Sequence, residues 1–222
     1  MDLKIKDVVE LLQVSEKTVY RWIKEKKIPC YRIHHQYRFN KLEINEWILS
    51  NKIEMSSNLI DLSQAKRQTN FTDLLVKGGV HFDIQGKTVA EVLHNAIKRI
   101  PDPEAIGSEE ILNALLNREK LMTTAIGHGI AIPHPRNPII AAVEDASISI
   151  CFLQEPVDFG ALDGKPVHTL LVLLTNSPRR HLEVLAEISY MCQLEEFREM
   201  LIRRVPKMEL LDFVREKELQ WQ

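Results

Sequence analysis

The stretch Gly127-His-Gly-Ile-Ala-Ile-Pro-His134 concentrates residue types that can do chemistry. A neutral imidazole nitrogen is nucleophilic at cytosolic pH, so a histidine here could attack an electrophilic group. Glycines at positions 127 and 129 would let a bulky partner approach the backbone closely. Pro133 restricts the backbone conformation of the residue before it. The stretch therefore offers a nucleophilic histidine, His134, in a loop of restricted shape.

A second cluster of residues could bind a polyanion. Residues 1–53 hold eleven Lys and Arg against seven Asp and Glu, a net charge of +4, although the formal net charge of the whole chain is −2. Between residues 17 and 41 there is one acid, Glu25, among eight basic residues: Lys17, Arg21, Lys24, Lys26, Lys27, Arg32, Arg38 and Lys41. A basic patch at one end of an acidic protein favours a nucleic-acid partner for that end. A solvated basic face would have the same composition.

The bulk composition excludes several classes of protein. A chain of 222 residues with 45% hydrophobic and 27% charged residues is typical of a globular protein with a small and a medium domain. No apolar run is longer than that of Leu170 to Leu174, which is far shorter than the ~20 residues that cross a bilayer. No signal peptide is visible either, so we expect no membrane insertion. Cys30, Cys151 and Cys192 lie far apart and fit no metal spacing, which predicts a cytoplasmic protein without metal or cofactor.

Hydrophobic spacing predicts a small helical domain at the start of the chain. A first helix carries Ile5 to Leu12, and a second follows the N-cap Ser15 with Val19, Trp22 and Ile23 on its inner face. Pro29 ends that helical segment. A short hairpin over 30–39 and a last helix over 42–49 are expected next, with His34 and His35 at the hairpin turn.

The remainder of the chain is predicted to be an α/β domain. We expect residues 54–69 to be a linker, because apolar residues are sparse there, and residues 70–222 to form the second domain. Two runs, Ile148–Leu153 and Val167–Leu174, are apolar enough to be strands buried on both faces. The predicted helices are Phe71–Lys77, closed by Gly78, Val89–Ile100, Glu109–Arg118 behind Ser108, His181–Cys192, Glu195–Arg203 and Lys207–Arg215.

The order of elements in residues 3–50 resembles the winged helix-turn-helix of excisionase and MerR-type regulators. The resemblance rests on Val8-Val-Glu-Leu-Leu12, on Val14-Ser-Glu-Lys-Thr-Val-Tyr-Arg-Trp-Ile23, on Ile28-Pro29 and on Tyr37-Arg-Phe39. A recognition helix enters the major groove and its outward residues reach bases and phosphates. The residues expected to contact DNA are Lys17, Tyr20, Arg21, Lys24 and Arg38. His34 and His35 fit exposed turn residues as well as they fit DNA contacts. The sequence leaves the choice between a monomer and a homodimer open, although such small units usually bind paired half-sites as dimers.

The stretch ending at His134 resembles the active-site segment of the fructose–mannitol and nitrogen-type enzyme IIA domains of the bacterial phosphotransferase system. Leu116-Asn-Arg-Glu-Lys-Leu121 and Glu155-Pro-Val-Asp-Phe-Gly-Ala-Leu-Asp-Gly-Lys-Pro-Val167 also match, and the resemblance spans about residues 70–216. It implies a mixed sheet covered by helices, with His134 as the phosphorylated residue. It further implies that Arg118 and His181 assist the transfer, and that the phosphocarrier HPr, or its nitrogen-type counterpart, is the donor.

Three functions follow from these resemblances. The leading hypothesis is a cytoplasmic regulator in which phosphorylation of His134 controls the DNA-binding domain, so that the chain carries phosphohistidine and is not a small-molecule enzyme. The alternative is a phosphoryl-relay subunit of a sugar transport system that passes phosphate from HPr to an enzyme IIB. A third hypothesis is a sensor that binds HPr or a kinase without turning phosphate over, against which the set Arg118, His134 and His181 argues.

Overall fold

The computed structural model describes residues 2–12, 14–25, 27–33, 36–40, 43–44, 47–48, 70–101, 106–137, 139 and 146–219. The chain divides into two compact units, Met1–Arg67 and Gln68–Gln222. The predicted linker over 54–69 and the hairpin residues His34 and His35 lie outside the described residues. No helix among the residues described is both long and apolar enough to cross a membrane.

The first unit contains two helices and a small sheet, followed by the helical residues 43–44 and 47–48. Helix α1 runs over Ile5–Leu12 and helix α2 over Glu16–Lys24. Ser15 caps α2 as predicted, since its side chain accepts a hydrogen bond from the Thr18 N–H. Strands β1 (Asp2–Leu3), β2 (Tyr31–Ile33) and β3 (Gln36–Asn40) form an antiparallel sheet in the order β1-β3-β2, and β1 was not predicted.

The core of the first unit contains the apolar residues that the helical spacing selected. Val8, Val19 and Phe39 are fully buried. The described part of the segment predicted as the last helix, residues 43–44 and 47–48, is helical. Its Trp47 ring lies 5.2 Å from the Trp22 ring, centroid to centroid, and its Nε1–H donates to the Lys27 carbonyl. The inner face of α2 is thereby fixed, and its opposite face is left to solvent.

The second unit is built on a mixed five-stranded sheet in the order β4-β7-β8-β6-β5. Strand β4 pairs parallel with β7 and β6 parallel with β8, whereas β7–β8 and β5–β6 are antiparallel. The elements of this unit are α3 (Phe71–Gly78), β4 (Val80–Ile84), α4 (Val89–Ile97), α5 (Ser108–Glu119), β5 (Ala125–Gly127), β6 (Ile130–Ala131), β7 (Ser147–Val157), β8 (Val167–Leu174), α6 (Pro178–Gln193), α7 (Glu195–Arg203) and α8 (Lys207–Leu219).

Both faces of the central strands are covered, as their continuous hydrophobicity predicted. In β8, Leu170 and Leu174 belong to the apolar cluster that includes Val92 and Leu93 of α4. Leu171 lies between them on the opposite face and is 1% exposed. A sheet buried on both sides holds the loops at its edges in fixed positions.

Several helix ends differ from the predicted ones by one to four residues, and at two of them the cap is a different residue. Helix α3 continues through Gly78, and Gly79 is its C-cap with a φ of 81°. Gly78 is needed for another reason, because a Cβ there would lie 2.1 Å from the Ile148 carbonyl oxygen of β7. Helix α5 includes Ser108, and the N-cap position belongs to Gly107. At both ends the local sequence allows either residue as the cap.

Candidate phosphoryl-acceptor site and basic helix

His134 is held by hydrogen bonds at both ring nitrogens. Its side chain is 4% exposed, its Nδ1 lies 2.7 Å from the Ile132 carbonyl oxygen, and its Nε2 lies 3.2 Å from Nε of Arg118. A carbonyl oxygen can only accept a hydrogen bond and a guanidinium can only donate one. The two partners therefore require the same tautomer, in which Nδ1 carries the proton and Nε2 carries the lone pair. Nε2 is the nucleophilic nitrogen of this ring.

The loop that carries His134 is fixed by the edge of the sheet. Strand β6 precedes it, and residues beyond the end of β6 still form backbone hydrogen bonds to the segments on either side of the strand. The Leu173 N–H of β8 donates to the Pro133 carbonyl at 2.9 Å, and the Ile132 N–H donates to the Thr124 carbonyl at 3.0 Å. Residues 132 and 133 are thus anchored to two neighbouring segments directly before the histidine.

Arg118 brings a buried positive charge to Nε2. It lies in the last turn of α5 and is 8% exposed, and its Nη1 donates to the Met122 carbonyl at 2.9 Å. A guanidinium stays charged at any physiological pH. Its N–H groups can donate hydrogen bonds to phosphoryl oxygens, and such hydrogen bonds are stronger where water is excluded. The geometry places an anion-binding group next to the nucleophile.

His181 packs next to the His134 ring. The two ring centroids are 4.8 Å apart and His181 is 3% exposed. It belongs to the first turns of α6, which begins at Pro178 behind the N-cap Ser177, and its Nδ1 lies 3.3 Å from the Thr175 hydroxyl. The amino end of a helix favours negative charge. The structure therefore brings Arg118, His134 and His181 together, while their catalytic roles stay predictions.

The two glycines before His134 have an intramolecular reason. Gly127 and Gly129 have φ values of 88° and 74°, in the turn that joins β5 to β6. A Cβ on Gly129 would lie 2.3 Å from the His168 ring, and one on Gly127 would lie 3.0 Å from an Asp163 carboxylate oxygen. That carboxylate also accepts the His128 N–H at 2.8 Å. Turn geometry and side-chain packing explain these glycines without the approach of a partner.

The surroundings of His168, Cys151 and Cys192 indicate structural roles. His168 is partly buried, which lowers the pKa of its ring, and its Nδ1 lies 2.8 Å from the Thr169 hydroxyl. Burial raises the pKa of the Cys151 and Cys192 thiols to about 12 each. Their thiolate fraction near neutral pH is negligible. The described residues include no group of His, Cys, Asp or Glu side chains that could hold a metal ion.

Helix α2 carries the predicted DNA-binding residues on one exposed stripe. Lys17, Arg21 and Lys24 follow at intervals of four and three residues, and all are exposed. Tyr20 is 46% exposed and its ring meets that of Tyr37 edge-on at 6.2 Å. The stripe lies opposite the buried Val19.

Arg38 is placed differently from the residues of that stripe. It lies on β3, is half-buried, and donates to the Gln36 side chain at 2.7 Å and to the Tyr37 carbonyl at 3.3 Å. These hydrogen bonds anchor its guanidinium on the hairpin of β2 and β3.

Each of the two units matches the model of a known family. Residues 73–217 match the family model described as phosphoenolpyruvate-dependent sugar phosphotransferase system, EIIA 2. The chain belongs to this family. Residues 3–52 match a helix-turn-helix domain model, so the enzyme IIA domain follows a helix-turn-helix domain in the same chain.

Relatives of the IIA domain include regulatory and sugar-specific proteins. A nitrogen regulatory protein of Pseudomonas aeruginosa is 38% identical over 128 residues, which cover 56% of this chain and 79% of that protein. The fructose-specific EIIABC component of Bacillus subtilis is 28% identical over 146 residues, 64% of this chain and 22% of that longer protein. The crystal structure of the nitrogen regulatory protein IIA-Ntr from Neisseria meningitidis superposes with a TM-score of 0.53 at 27% identity, covering 61% of this chain and 92% of that one.

Some residues that support the IIA site were missed by sequence reasoning. Glu119, Thr124, Thr175 and Asp163 all contact the segments that carry the three predicted site residues. Glu119 directly follows Arg118 in the matching motif, which is the one sequence signal that could have selected it. Asp163 lies in the other matching stretch, residues 155–167, which could have selected it in the same way. Thr124 and Thr175 depend on contacts made by loops, which the spacing of residues along the chain does not encode.

Proposed function

We propose that this protein is a cytoplasmic regulator in which the IIA domain accepts a phosphoryl group on His134 and thereby controls the helix-turn-helix domain. HPr, or its nitrogen-type counterpart, is the proposed donor, and DNA is the proposed ligand of residues 1–53. The observation that carries the proposal is the tautomer of His134: Nδ1 is committed to the Ile132 carbonyl, and Nε2 faces the Arg118 guanidinium.

The proposed transfer is a displacement at phosphorus. The Nε2 lone pair forms the new P–N bond, and the bond between phosphorus and the donor breaks, its electron pair leaving on the donor. The proton on Nδ1 stays in the hydrogen bond to the Ile132 carbonyl. Arg118 then donates to the phosphoryl oxygens in place of Nε2, and His181, whose ring packs next to that of His134, stabilises the same charge.

The proposed DNA contacts come from the stripe on α2. Lys17, Arg21 and Lys24 carry three exposed positive charges on one face of a short helix whose other face is fixed by packing. Such a helix fits the major groove, and its cations neutralise phosphates. The fusion of this unit to a IIA domain favours regulation over transport, and so does the similarity to a nitrogen regulatory protein.

Phosphate incorporation tests the proposal. The full-length protein, incubated with phosphorylated HPr, should gain one acid-labile, base-stable phosphate. His134→Ala should gain none. His128→Asn is the matched control, because it removes the other imidazole of the same segment and asparagine tolerates the φ of 56° found there. Labelling of His134→Ala at the normal level would refute the assignment.

The second candidate function is a phosphoryl relay in sugar transport. It is favoured by the similarity to the fructose-specific EIIABC component of Bacillus subtilis. In that case the phosphate on His134 passes to an enzyme IIB, and DNA binding is not controlled by it. Rapid loss of label to an added fructose-type enzyme IIB, without any effect of phosphorylation on DNA affinity, would favour this function.

A further inference from the structure

A carboxylate next to Arg118 closes the loop that leads toward His134. Glu119 is the last residue of α5, and its side chain turns toward Thr124, directly before β5. The carboxylate accepts the Thr124 hydroxyl at 2.6 Å and the Thr124 N–H at 3.0 and 3.2 Å. Both donors of Thr124 therefore bond to one charged group, and the single N–H is shared between its two oxygens. Such charge-assisted hydrogen bonds are stronger than neutral ones and tie residue 124 to the helix end.

The same bonds continue to the ring of His134. The Thr124 carbonyl accepts the Ile132 N–H at 3.0 Å, and the Ile132 carbonyl accepts Nδ1–H of His134 at 2.7 Å. Two further hydrogen bonds thus connect Thr124 to the ring of His134. On its other nitrogen the ring meets Arg118, the covalent neighbour of Glu119. Both ring nitrogens are therefore positioned relative to one helix end.

Thr124 is buried at 5% exposure, so water does not replace its hydroxyl contact. The hydrogen bonds between Glu119 and Thr124 thus act as a clamp on residue 124. If this clamp opens, Thr124 can move, and with it the carbonyl that orients Ile132. The Ile132 carbonyl decides which ring nitrogen carries the proton. A shift there would rotate the Nε2 lone pair away from the incoming phosphorus and weaken the preference for the Nδ1–H tautomer.

We propose that Glu119 and Thr124 are positioning residues for phosphoryl transfer, which fix the tautomer and the direction of the His134 ring through Ile132. This inference rests on the proposed function of His134. Neither residue touches the reacting atoms. Displacements of about 1 Å at a reacting group cost up to a hundredfold in rate, so a loosened clamp should slow transfer by roughly tenfold to a hundredfold.

The test compares four variants of the full-length protein. Thr124→Val removes the hydroxyl and keeps the shape, and Thr124→Ser restores the hydroxyl. Glu119→Gln removes the charge. Thr123→Val is the matched control. Within the described part of the chain, the hydroxyl of this neighbouring threonine makes only the local contact with the Ala125 N–H, at 3.1 Å, and does not contact Glu119.

Two measurements are made on each variant. The first is the single-turnover rate of phosphate transfer from phosphorylated HPr. The second is the ¹⁵N spectrum of the unphosphorylated His134 ring, which reports the tautomer without any need for catalysis. We expect Thr124→Val and Glu119→Gln to be slow and to show a larger share of the Nε2–H tautomer. Thr124→Ser and Thr123→Val should resemble the wild type in both.

The outcomes separate this inference from the proposed function. Wild-type rate and an unchanged ring spectrum in Thr124→Val and Glu119→Gln would overturn the clamp, while the loss of labelling in His134→Ala would still support the phosphorylation site. If the wild type takes no phosphate, the proposed function fails and the ¹⁵N spectra alone decide the clamp. If Thr124→Val does not fold, Glu119→Gln decides.

Discussion

Replacing Arg118 tests the electrostatics of the site most simply. Arg118 is 8% exposed, and its Nε lies 3.2 Å from Nε2 of His134, the proposed acceptor of the phosphoryl group. Removing a buried donor that stabilises charge in a transition state costs about a hundredfold to a thousandfold in rate, or about 2.7–4 kcal/mol. We expect Arg118→Ala to slow phosphate transfer by that factor, because the buried position admits little water to replace the lost donor.

The assay is rapid-quench transfer from phosphorylated HPr at saturating donor, so that the rate reports the chemical step. Arg118→Lys should be intermediate, since an ammonium keeps the charge but cannot reproduce the planar fork that spans His134 and the Met122 carbonyl. Arg215→Ala is the matched control: that arginine is 60% exposed and pairs with Asp212 at 3.5 Å. Its rate should stay within about twofold of the wild type.

The stability of each variant is measured by urea unfolding before its rate is interpreted. A folded Arg118→Ala protein that transfers phosphate within about threefold of the wild-type rate would refute the reasoning, since a buried charge next to the nucleophile would then contribute almost nothing.

Three further predictions concern DNA, the fold and the thiols. Arg21→Ala should flatten the dependence of log affinity for duplex DNA on log salt by roughly one unit, whereas Lys98→Ala in the IIA domain should leave the slope unchanged. Glu218→Gln should lower the free energy of unfolding by about 1–3 kcal/mol in urea titrations, because this buried carboxylate accepts the Thr72 N–H at 3.1 Å at the start of α3. Thiol reagents at pH 8 should leave Cys151 and Cys192 unmodified until the protein unfolds, because each has a pKa of about 12; reaction of either at the rate of a free thiol would contradict their burial. As pH rises from about 9 toward 12, the unfolded chain loses these protons first, so both groups should favour unfolding in that window.

The sequence was sufficient for the elements that bury an apolar face. The spacing of Val8 and Val19 selected the inner faces of α1 and α2, and β8 begins and ends at the predicted residues, Val167–Leu174. Helix α7, Glu195–Arg203, also has its predicted bounds. In these segments the hydrophobic period and the caps act locally, so the residues themselves carry the information.

The short strands and their pairing could not be predicted in this way. Strands β5 and β6 have three and two residues, too few for a period to be recognised. Parallel pairing of β6 with β8 joins Ile130 to Thr169, and the spacing of residues does not encode such a distant contact. The site residues were selected by motif, while their mutual distances depend on this pairing, because it places the loop before His134 next to α5 and α6.

In the proposed function, the phosphorylation state of His134 changes DNA binding. Phosphorylation adds about −1.5 to −2 charges. At physiological salt the screening length is only ~8 Å, so repulsion alone would be weak unless the site lies at the duplex. We therefore expect a change in a contact between domains or between copies of the chain. A tenfold effect requires about 1.4 kcal/mol of coupling, which is usual for linked sites.

The most direct measurement is the affinity of the full-length protein for a duplex selected from a random library, with and without phosphate on His134. His134→Ala, treated with the same phosphorylated HPr, is the control that cannot be labelled. The affinity of the phosphorylated wild type should differ at least about tenfold from that of the unphosphorylated protein and from that of treated His134→Ala, and the last two should agree with each other. Equal affinities in all three would contradict the proposed function.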